Sequence, residues 1–99
     1  MEIKKSLEGN HLTLSLVGEL NTESAPTFEA VIKSSLIGVN TLTLDMKDLT
    51  YLTSAGLRIL LVAQKIMKGQ GEMKICHVND DVKEVFFLTG FNNVLNIED

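Results

Sequence analysis

Polar and apolar side chains alternate near the N-terminus in a way that predicts two β-strands. Glu2 to Leu7 is the first alternating run, and Leu12 to Val17 is the second, with three leucines on one face. A side-chain period of two is typical of a strand that buries one face. The residues between the runs, Glu8-Gly9-Asn10, have the composition of a hairpin turn. The pattern therefore predicts an antiparallel pair at the start of the chain.

Apolar residues at three- and four-residue spacing then predict helices. The first helix is expected to begin at Asn21 or Thr22, which are both good N-cap residues, and to end near Gly38. The second follows Ser54 and continues to about Lys68. Apolar residues lie nearly all round this second helix, which predicts a central and well-covered position.

The remaining segments complete an alternating order of strands and helices. Strands are predicted at Thr41 to Asp45, at Met73 to Val78 and, as a short last strand, at Val94 to Ile97. Met46 to Leu52 breaks the alternation and is expected to be a connector. A short helix is predicted from its N-cap Asn79 to its stop at Gly90.

The predicted order is β-β-α-β-α-β-α-β, which defines the expected fold class. Strands that alternate with helices indicate an α/β fold with a largely parallel sheet and right-handed crossovers. The opening antiparallel pair makes this a mixed sheet of four to five strands. Because no internal repeat or linker divides the sequence, we expect residues 1–99 to form a single domain.

Composition narrows the range of partners. The net charge is −4, and there is no basic stripe to meet the phosphates of a nucleic acid, so we expect no nucleic-acid partner. The N-terminus lacks the apolar centre of a signal peptide, and no apolar run approaches the length of a membrane span. The sequence therefore predicts a soluble, cytoplasmic protein without direct membrane insertion.

Residues that carry catalytic or metal chemistry are sparse. Neither His11 nor His77 has a metal-ligand companion at useful spacing, and the single cysteine, Cys76, fits a small buried residue in a strand. Asp80 and Asp81 fit the first turn of a helix, where negative charge is favourable. No nucleotide-binding fingerprint is present. We therefore expect no enzyme activity, no cofactor and no metal.

The turn that begins the second helix is the most informative segment. Thr53 and Ser54 place two hydroxyls at a helix N-terminus, where unpaired N–H groups favour a cap or a phosphate. Ala55 and Gly56 follow, and the helix-propensity cost of a glycine there suggests that something approaches the backbone closely. Arg58 lies one turn after Ser54, where it would pair with a phosphate or remain solvated. A simple helix cap and a phosphorylation site both remain open.

A second loop is expected at the same edge of the sheet. Gly18-Glu19-Leu20-Asn21 also leaves a strand and enters a helix, as the Thr53-Ser54 turn does. Because parallel strands bring their carboxyl ends to one edge, the two loops should be neighbours. Together they define a candidate surface for a partner, with Gly18 and Asn21 on one side and Thr53, Ser54 and Arg58 on the other.

These segments, in their order, resemble the STAS domain family, and most closely the small single-domain anti-sigma factor antagonists of bacteria. The resemblance covers nearly the whole chain, and the Ser-Ala-Gly-Leu turn between a strand and a helix is its most specific part. The matching segments are Gly18-Glu19-Leu20-Asn21, Leu44-Asp45 with Leu49, Tyr51 to Leu57, Gly71-Glu72-Met73, and Val82, Phe86, Thr89 and Gly90.

The resemblance implies a binding switch. In that family an anti-sigma factor that is also a serine kinase phosphorylates the serine at the helix start, which matches Ser54 here. The unphosphorylated antagonist binds the kinase and thereby frees a sigma factor, and a metal-dependent serine phosphatase reverses the modification. The implied docking residues are Gly18, Asn21, Thr53, Ser54, Ala55, Gly56 and Arg58.

The sequence also departs from the family pattern. Relatives often carry Asp where this chain has Asn21 and Thr53, and Thr53 is a second, less favoured acceptor. The final helix of many relatives is absent from the pattern, which stops at Asp99. A STAS-like accessory subunit of a lipid-transport ATPase is the alternative; in it the same surface docks constitutively and the hydroxyl is only a contact.

Overall fold

A computed structural model describes residues 1–98 and contains a four-stranded sheet with three helices. The sheet order is β1-β2-β3-β4, in which β1 is antiparallel to β2 and the other neighbouring pairs are parallel. The predicted mixed α/β fold is therefore confirmed. The elements are β1 (Glu2–Glu8), β2 (His11–Leu20), α1 (Ala25–Ser35), β3 (Thr41–Leu52), α2 (Ser54–Lys68), β4 (Glu72–Cys76), α3 (Asp80–Thr89) and a single 3-10 turn (Phe91–Asn93).

One face of the sheet supplies the core, and the other face is polar. Every second side chain is buried along β2 as far as Leu16 and along β3 as far as Met46, which places six apolar residues in one cluster: Leu12, Leu14, Leu16, Leu42, Leu44 and Met46. The helices complete this cluster with Phe28, Ile32, Leu60, Ala63, Val82 and Phe86. The intervening positions of the strands, such as Thr13, Ser15, Thr43 and Asp45, are partly exposed. The predicted alternation thus corresponds to burial of one sheet face.

β3 is longer than predicted, and the prediction of a connector at Met46 to Leu52 was wrong. Its register against β2 shifts twice, once after Asp45 and once after Leu49, and each shift places an extra β3 residue opposite β2. Such bulges bend a strand and change which side chains face the core. Buried residues therefore recur at every third position, Met46, Leu49 and Leu52, and this spacing hides the strand from a search for period two.

The predicted last strand, Val94 to Ile97, was also wrong. Within residues 1–98 only Ile97 pairs with the sheet, through an isolated parallel bridge to Ile75 on β4. The chain reaches that point through the 3-10 turn, and beyond the turn the Leu95 N–H donates to the Phe91 carbonyl at 2.8 Å. Leu95 is buried and Val94 is exposed, so this apolar segment attaches to the core through the Leu95 side chain and does not form a strand.

Helix α1 begins later than predicted, at Ala25 instead of Asn21 or Thr22. The side chain of Asn21 instead organises the turn before the helix, because its Oδ1 accepts the N–H groups of Glu23 at 3.0 Å and Ser24 at 3.1 Å. The limits of α2 and α3 agree with the predictions, including the cap at Asn79 and the left-handed stop at Gly90. β4 ends at Cys76 instead of Val78, because His77 adopts a φ of 59°.

Candidate functional site

The ends of β2 and β3 bring the two predicted loops together. The Thr53 N–H donates to the Leu20 carbonyl at 3.0 Å, and this hydrogen bond joins the loop after β2 to the start of α2. We call the surface formed by Gly18–Asn21 and Thr53–Arg58 the rim. Its existence follows from topology, since β2 and β3 are parallel neighbours whose carboxyl ends lie at one edge.

Neither hydroxyl at the start of α2 acts as a helix cap. Thr53 occupies the N-cap position in an extended conformation, yet its side chain makes no capping hydrogen bond, and its Oγ1 is buried without a partner among residues 1–98. Ser54 is the first helical residue, is exposed, and forms no hydrogen bond through its hydroxyl within the same residues. Of the two hydroxyls, therefore, only that of Ser54 is directly accessible to an enzyme.

The close approach that the sequence suggested at Gly56 is made by the chain itself. Gly56 is buried, and a Cβ at this position would lie 2.6 Å from Cγ of Leu20 and 3.2 Å from the Leu20 carbonyl oxygen. The missing side chain thus lets α2 pack on the loop after β2, and an approaching partner is not needed to explain it. Ala55, in contrast, is partly exposed and contributes to the surface of the rim.

Gly18 and Asn21 shape the rim from the β2 side. Gly18 has a φ of 104°, which a residue with a side chain rarely adopts, and it lies at the second register shift between β2 and β3. The Thr50 hydroxyl donates to the Gly18 carbonyl at 3.1 Å and holds the bulge in place. The Asn21 Oδ1 accepts hydrogen bonds from its own turn, so Asn21 fixes the shape of the loop.

The charges around the rim are separate rather than paired. Arg58 is exposed and forms no ion pair with any residue of the described chain, 1–98. Next to the rim, an open cleft of about 340 Å³ is lined by Met1, Glu19, Asn21, Glu23, Ser24 and Thr27. Its two glutamates, Glu19 and Glu23, supply negative charge beside Asn21. Sequence reasoning did not single them out, although Glu19 lies inside the Gly-Glu-Leu motif.

Tyr51 is a further exposed residue that sequence reasoning did not assign to the surface. It is 44% exposed, and the register pairs it with Glu19 at the end of the two strands. Tyr51 comes two residues after the buried Leu49, so a regular strand would bury it as well. The second bulge of β3 turns its side chain outward instead, and Leu52 is buried. A bulge that changes the facing of one aromatic side chain has no clear signal in the sequence.

Three residues that the sequence did not group together lie close to one another, and none of them belongs to the rim. A carboxylate oxygen of Asp45, the Sγ of Cys76 and a ring nitrogen of His77 are all within 4.8 Å of one another. His77 Nδ1 and Asp45 Oδ1 are 3.0 Å apart, and both side chains are in contact with solvent. Cys76 is only partly buried, so the prediction of a buried apolar cysteine needs this correction.

The local environment shifts the pKa values of Asp45 and Cys76 in opposite directions. Burial acts to raise the pKa of Asp45. The hydrogen bonds from the Lys47 backbone N–H and from His77, together with the positive charges of His77 and Lys47, outweigh burial, so the pKa is lowered. Burial, followed by the negative charges of Asp45 and Glu98, raises the pKa of the Cys76 thiol. The thiol is therefore mostly protonated at neutral pH, and nothing here activates it as a nucleophile.

The chain belongs to the STAS domain family, because the family model of the STAS domain matches residues 2–99. This confirms the resemblance that the rim residues indicated. None of the helices within residues 1–98 combines the length and the apolar character that a membrane span needs.

Two relatives carry related names. BtrV of Bordetella bronchiseptica, named provisionally as an anti-sigma factor antagonist, is 35% identical over 88 residues, which is 87% of this chain and 76% of BtrV. The anti-sigma-B factor antagonist of Bacillus subtilis is 27% identical over 90 residues, covering 89% of this chain and 82% of the relative.

Solved structures confirm the fold. SpoIIAA, a Bacillus anti-sigma factor antagonist, matches in its unphosphorylated form with a TM-score of 0.78 and in its phosphorylated form with 0.76. The two forms are 15% and 16% identical to this chain, and each match covers 99% of it and 88% or 92% of SpoIIAA. At this level of identity the likeness establishes the fold alone.

Proposed function

We propose that this chain is an anti-sigma factor antagonist, a non-catalytic binding protein that docks on an anti-sigma factor serine kinase and so releases a sigma factor. In this proposal residues 1–99 act as a single domain in the cytoplasm. Phosphorylation of Ser54 ends docking, and a metal-dependent serine phosphatase restores it. The names of the two relatives support the antagonist role.

One observation carries the assignment of Ser54. Its hydroxyl lies exposed at the first position of α2 and has no hydrogen-bond partner within residues 1–98, whereas the Thr53 hydroxyl is buried. The kinase would form a bond from Ser54 Oγ to the γ-phosphorus of ATP as the bond to the leaving ADP oxygen breaks, and a base of the kinase would take the hydroxyl proton. The Thr53 side chain has to change its conformation before its buried hydroxyl can react.

The expected effect of the phosphate is electrostatic and steric. It adds about −1.5 to −2 charges at neutral pH to the exposed first residue of α2. The start of a helix accepts that charge, so the fold should survive the modification. A partner that packs closely on the rim, with Ala55 beside Ser54 and Arg58 one turn further, would have to accommodate both the bulk and the charge. The phosphate therefore weakens docking without unfolding the domain.

Phosphate mapping tests the acceptor. The protein is incubated with an anti-sigma factor serine kinase from the same genome and ATP, and the phosphorylated residue is located by mass spectrometry. We expect one phosphate on Ser54, no label in Ser54→Ala, and an unchanged site in the matched variant Thr53→Val, which removes the buried hydroxyl at constant shape. A label that survives Ser54→Ala would refute the assignment to Ser54.

Titration calorimetry with the same kinase tests the switch. Ser54→Asp should weaken binding about 100-fold or more, which corresponds to roughly 3 kcal/mol. The control Ser6→Asp adds the same charge to an exposed position of β1 and should bind as the unmodified protein does. Adding a metal-dependent serine phosphatase to the phosphorylated protein should restore the original affinity. Equal binding by Ser54→Asp would instead favour a constitutive contact, as in an ATPase accessory subunit.

A further inference from the structure

Asp45, Cys76 and His77 place three different metal-binding donors at one point of the sheet. The donor atoms, a carboxylate oxygen, a thiol sulfur and an imidazole nitrogen, lie within 4.8 Å of one another. Neutral imidazole and thiolate are the ligands that Zn²⁺ and similar ions prefer, and a carboxylate is a common third ligand. The cluster shares no residue with the rim, so its role is separate from the proposed docking function.

The fold builds this cluster through three local features. The parallel register pairs Asp45 with Cys76, so both side chains lie on the polar face of the sheet. The first bulge of β3 follows Asp45 directly, and the Lys47 N–H donates to its Oδ1 at 3.0 Å. His77 would face the opposite side if β4 continued, but its φ of 59° ends the strand and brings the ring to within 3.0 Å of Asp45.

The conformation of His77 is the least ordinary of these features. A non-glycine residue with positive φ is uncommon, although His, Asn and Asp adopt it more readily than other residues. Within residues 1–98, His77 is the only non-glycine residue with such a φ. Adjacent residues of a strand normally point to opposite faces. Because of this φ, the side chains of Cys76 and His77 both lie near the carboxylate of Asp45. Spacing along the sequence therefore did not predict the cluster.

We propose that Asp45, Cys76 and His77 bind a thiolate-preferring divalent cation of the Zn²⁺ class. Tetrahedral Zn²⁺ with bond lengths of about 2.0–2.3 Å holds its ligands about 3.5 Å apart, so the donors need to close by only about 1 Å. Binding releases the thiol proton of Cys76 to solvent, and the ion takes the place of the hydrogen between His77 Nδ1 and Asp45 Oδ1, while the neutral imidazole carries its hydrogen on Nε2. The remaining position faces solvent and takes water, since the His77 side chain is 59% exposed.

The surrounding charges set the strength of the site. The positive charge of Lys47 acts on Asp45 and opposes a cation, whereas Glu98 supplies negative charge near Cys76. Because the described ligands number three and the site is open to solvent, the ion should exchange with added chelator rather than be held permanently. Its effect on the fold is to join the end of β4 to β3, so binding should raise thermal stability by mass action.

Titration of the purified, reduced protein with CoCl₂ tests the proposal. Cobalt in a thiolate site gives a sulfur-to-metal charge-transfer absorption in the near ultraviolet, together with visible bands of tetrahedral geometry. We expect both signals to saturate at one equivalent and to disappear when ZnCl₂ is added in competition. ZnCl₂ alone should raise the melting temperature. Absence of the charge-transfer band would overturn the proposal.

Three variants and one control locate the ligands. Cys76→Ser should abolish the charge-transfer band. Asp45→Asn should weaken cobalt binding by more than about tenfold, because losing even a residue that only hydrogen-bonds to a metal ligand costs about that much affinity. His77→Asn should also weaken cobalt binding by more than about tenfold. Because asparagine adopts a positive φ readily, this loss of binding would not result from misfolding. His11→Ala removes the other histidine of the sequence and should change nothing. Binding that depends on His11, or that persists in Cys76→Ser with its band intact, would refute the site.

Discussion

Gly56 on α2 and Leu20 at the end of β2 are in such close contact that a side chain on the glycine would overlap the leucine. A Cβ at Gly56 would lie 2.6 Å from Cγ and 2.8 Å from Cδ2 of Leu20, and both residues are buried. The Leu20 carbonyl also accepts the N–H of Thr53. The two loops of the rim are therefore held together by the core beneath them, and this packing determines the shape of the surface that carries Ser54.

Gly56→Ala should destabilise the protein by up to about 2 kcal/mol. Alanine gains about 1 kcal/mol from helix propensity, but overpacking a buried contact costs about 1–3 kcal/mol, so the clash with Leu20 outweighs the gain. Urea denaturation measures the difference in the free energy of unfolding. The double variant with Leu20→Ala provides the control, because a smaller residue 20 removes the clash and the added cost of Gly56→Ala should then vanish. An equal cost in both backgrounds would contradict the contact.

Ser54→Ala should leave stability unchanged within about 0.5 kcal/mol. A serine that caps a helix costs about 0.5–2 kcal/mol when it is replaced by alanine, but the Ser54 hydroxyl makes no hydrogen bond within residues 1–98. Thermal and urea denaturation of the unphosphorylated protein would measure this. A loss above 1 kcal/mol would mean that the hydroxyl caps α2 in solution, and the simple cap would again be a sufficient explanation of this serine.

Asn79→Ala, in contrast, should cost about 1–2 kcal/mol. Asn79 caps α3 by accepting the Val82 N–H at 2.8 Å, and its Nδ2 donates to the Leu49 carbonyl at 2.9 Å in the bulged part of β3. Removing the amide loses a cap and leaves backbone groups without partners. Urea denaturation measures the loss, and the exposed Asn93, replaced by alanine, is the matched control with no expected effect. Equal stability of the two variants would refute the bridging role.

The same region shows what the sequence could and could not predict. The cap and the stop of α3 were predicted because they depend on local chemistry at Asn79 and Gly90. The bulges of β3 were not, because an inserted residue changes the side-chain period only where the strand pairs with β2. Ser54 was identified from its motif, whereas the lack of a hydrogen bond to its hydroxyl depends on how the start of α2 is oriented. These features depend on the three-dimensional arrangement of the chain, which a local sequence pattern does not determine.

Gly71 lies very close to the backbone of Asn40, and this contact provides an independent test of the packing at the start of β4. A Cβ at Gly71 would overlap the carbonyl oxygen of Asn40, which also accepts the Glu72 N–H at 3.0 Å at the start of β4. Because backbone atoms cannot yield as a side-chain end can, Gly71→Ala should cost at least about 2–3 kcal/mol in urea denaturation. Gly69→Ala in the same loop meets only the Ile66 carbonyl oxygen at 3.6 Å, and should be neutral within about 0.5 kcal/mol. Similar costs at both positions would contradict the packing of this loop.

Phosphorylation of Ser54 should slightly stabilise the domain, and Arg58 should contribute to that gain. A negative charge in the first turn of α2 is favourable by about 0.3–1 kcal/mol, and Arg58 one turn later is exposed and without an ion pair among residues 1–98. The phosphorylated protein should therefore melt at or above the temperature of the unphosphorylated one, and added salt should reduce the difference by screening. Arg58→Gln should diminish this phosphate-dependent gain, whereas Lys65→Gln in the last turn of the same helix should leave it intact. If phosphorylation lowers the melting temperature in all three proteins, it acts by loosening the fold, and the view of Ser54 as a surface switch on an unchanged domain is wrong.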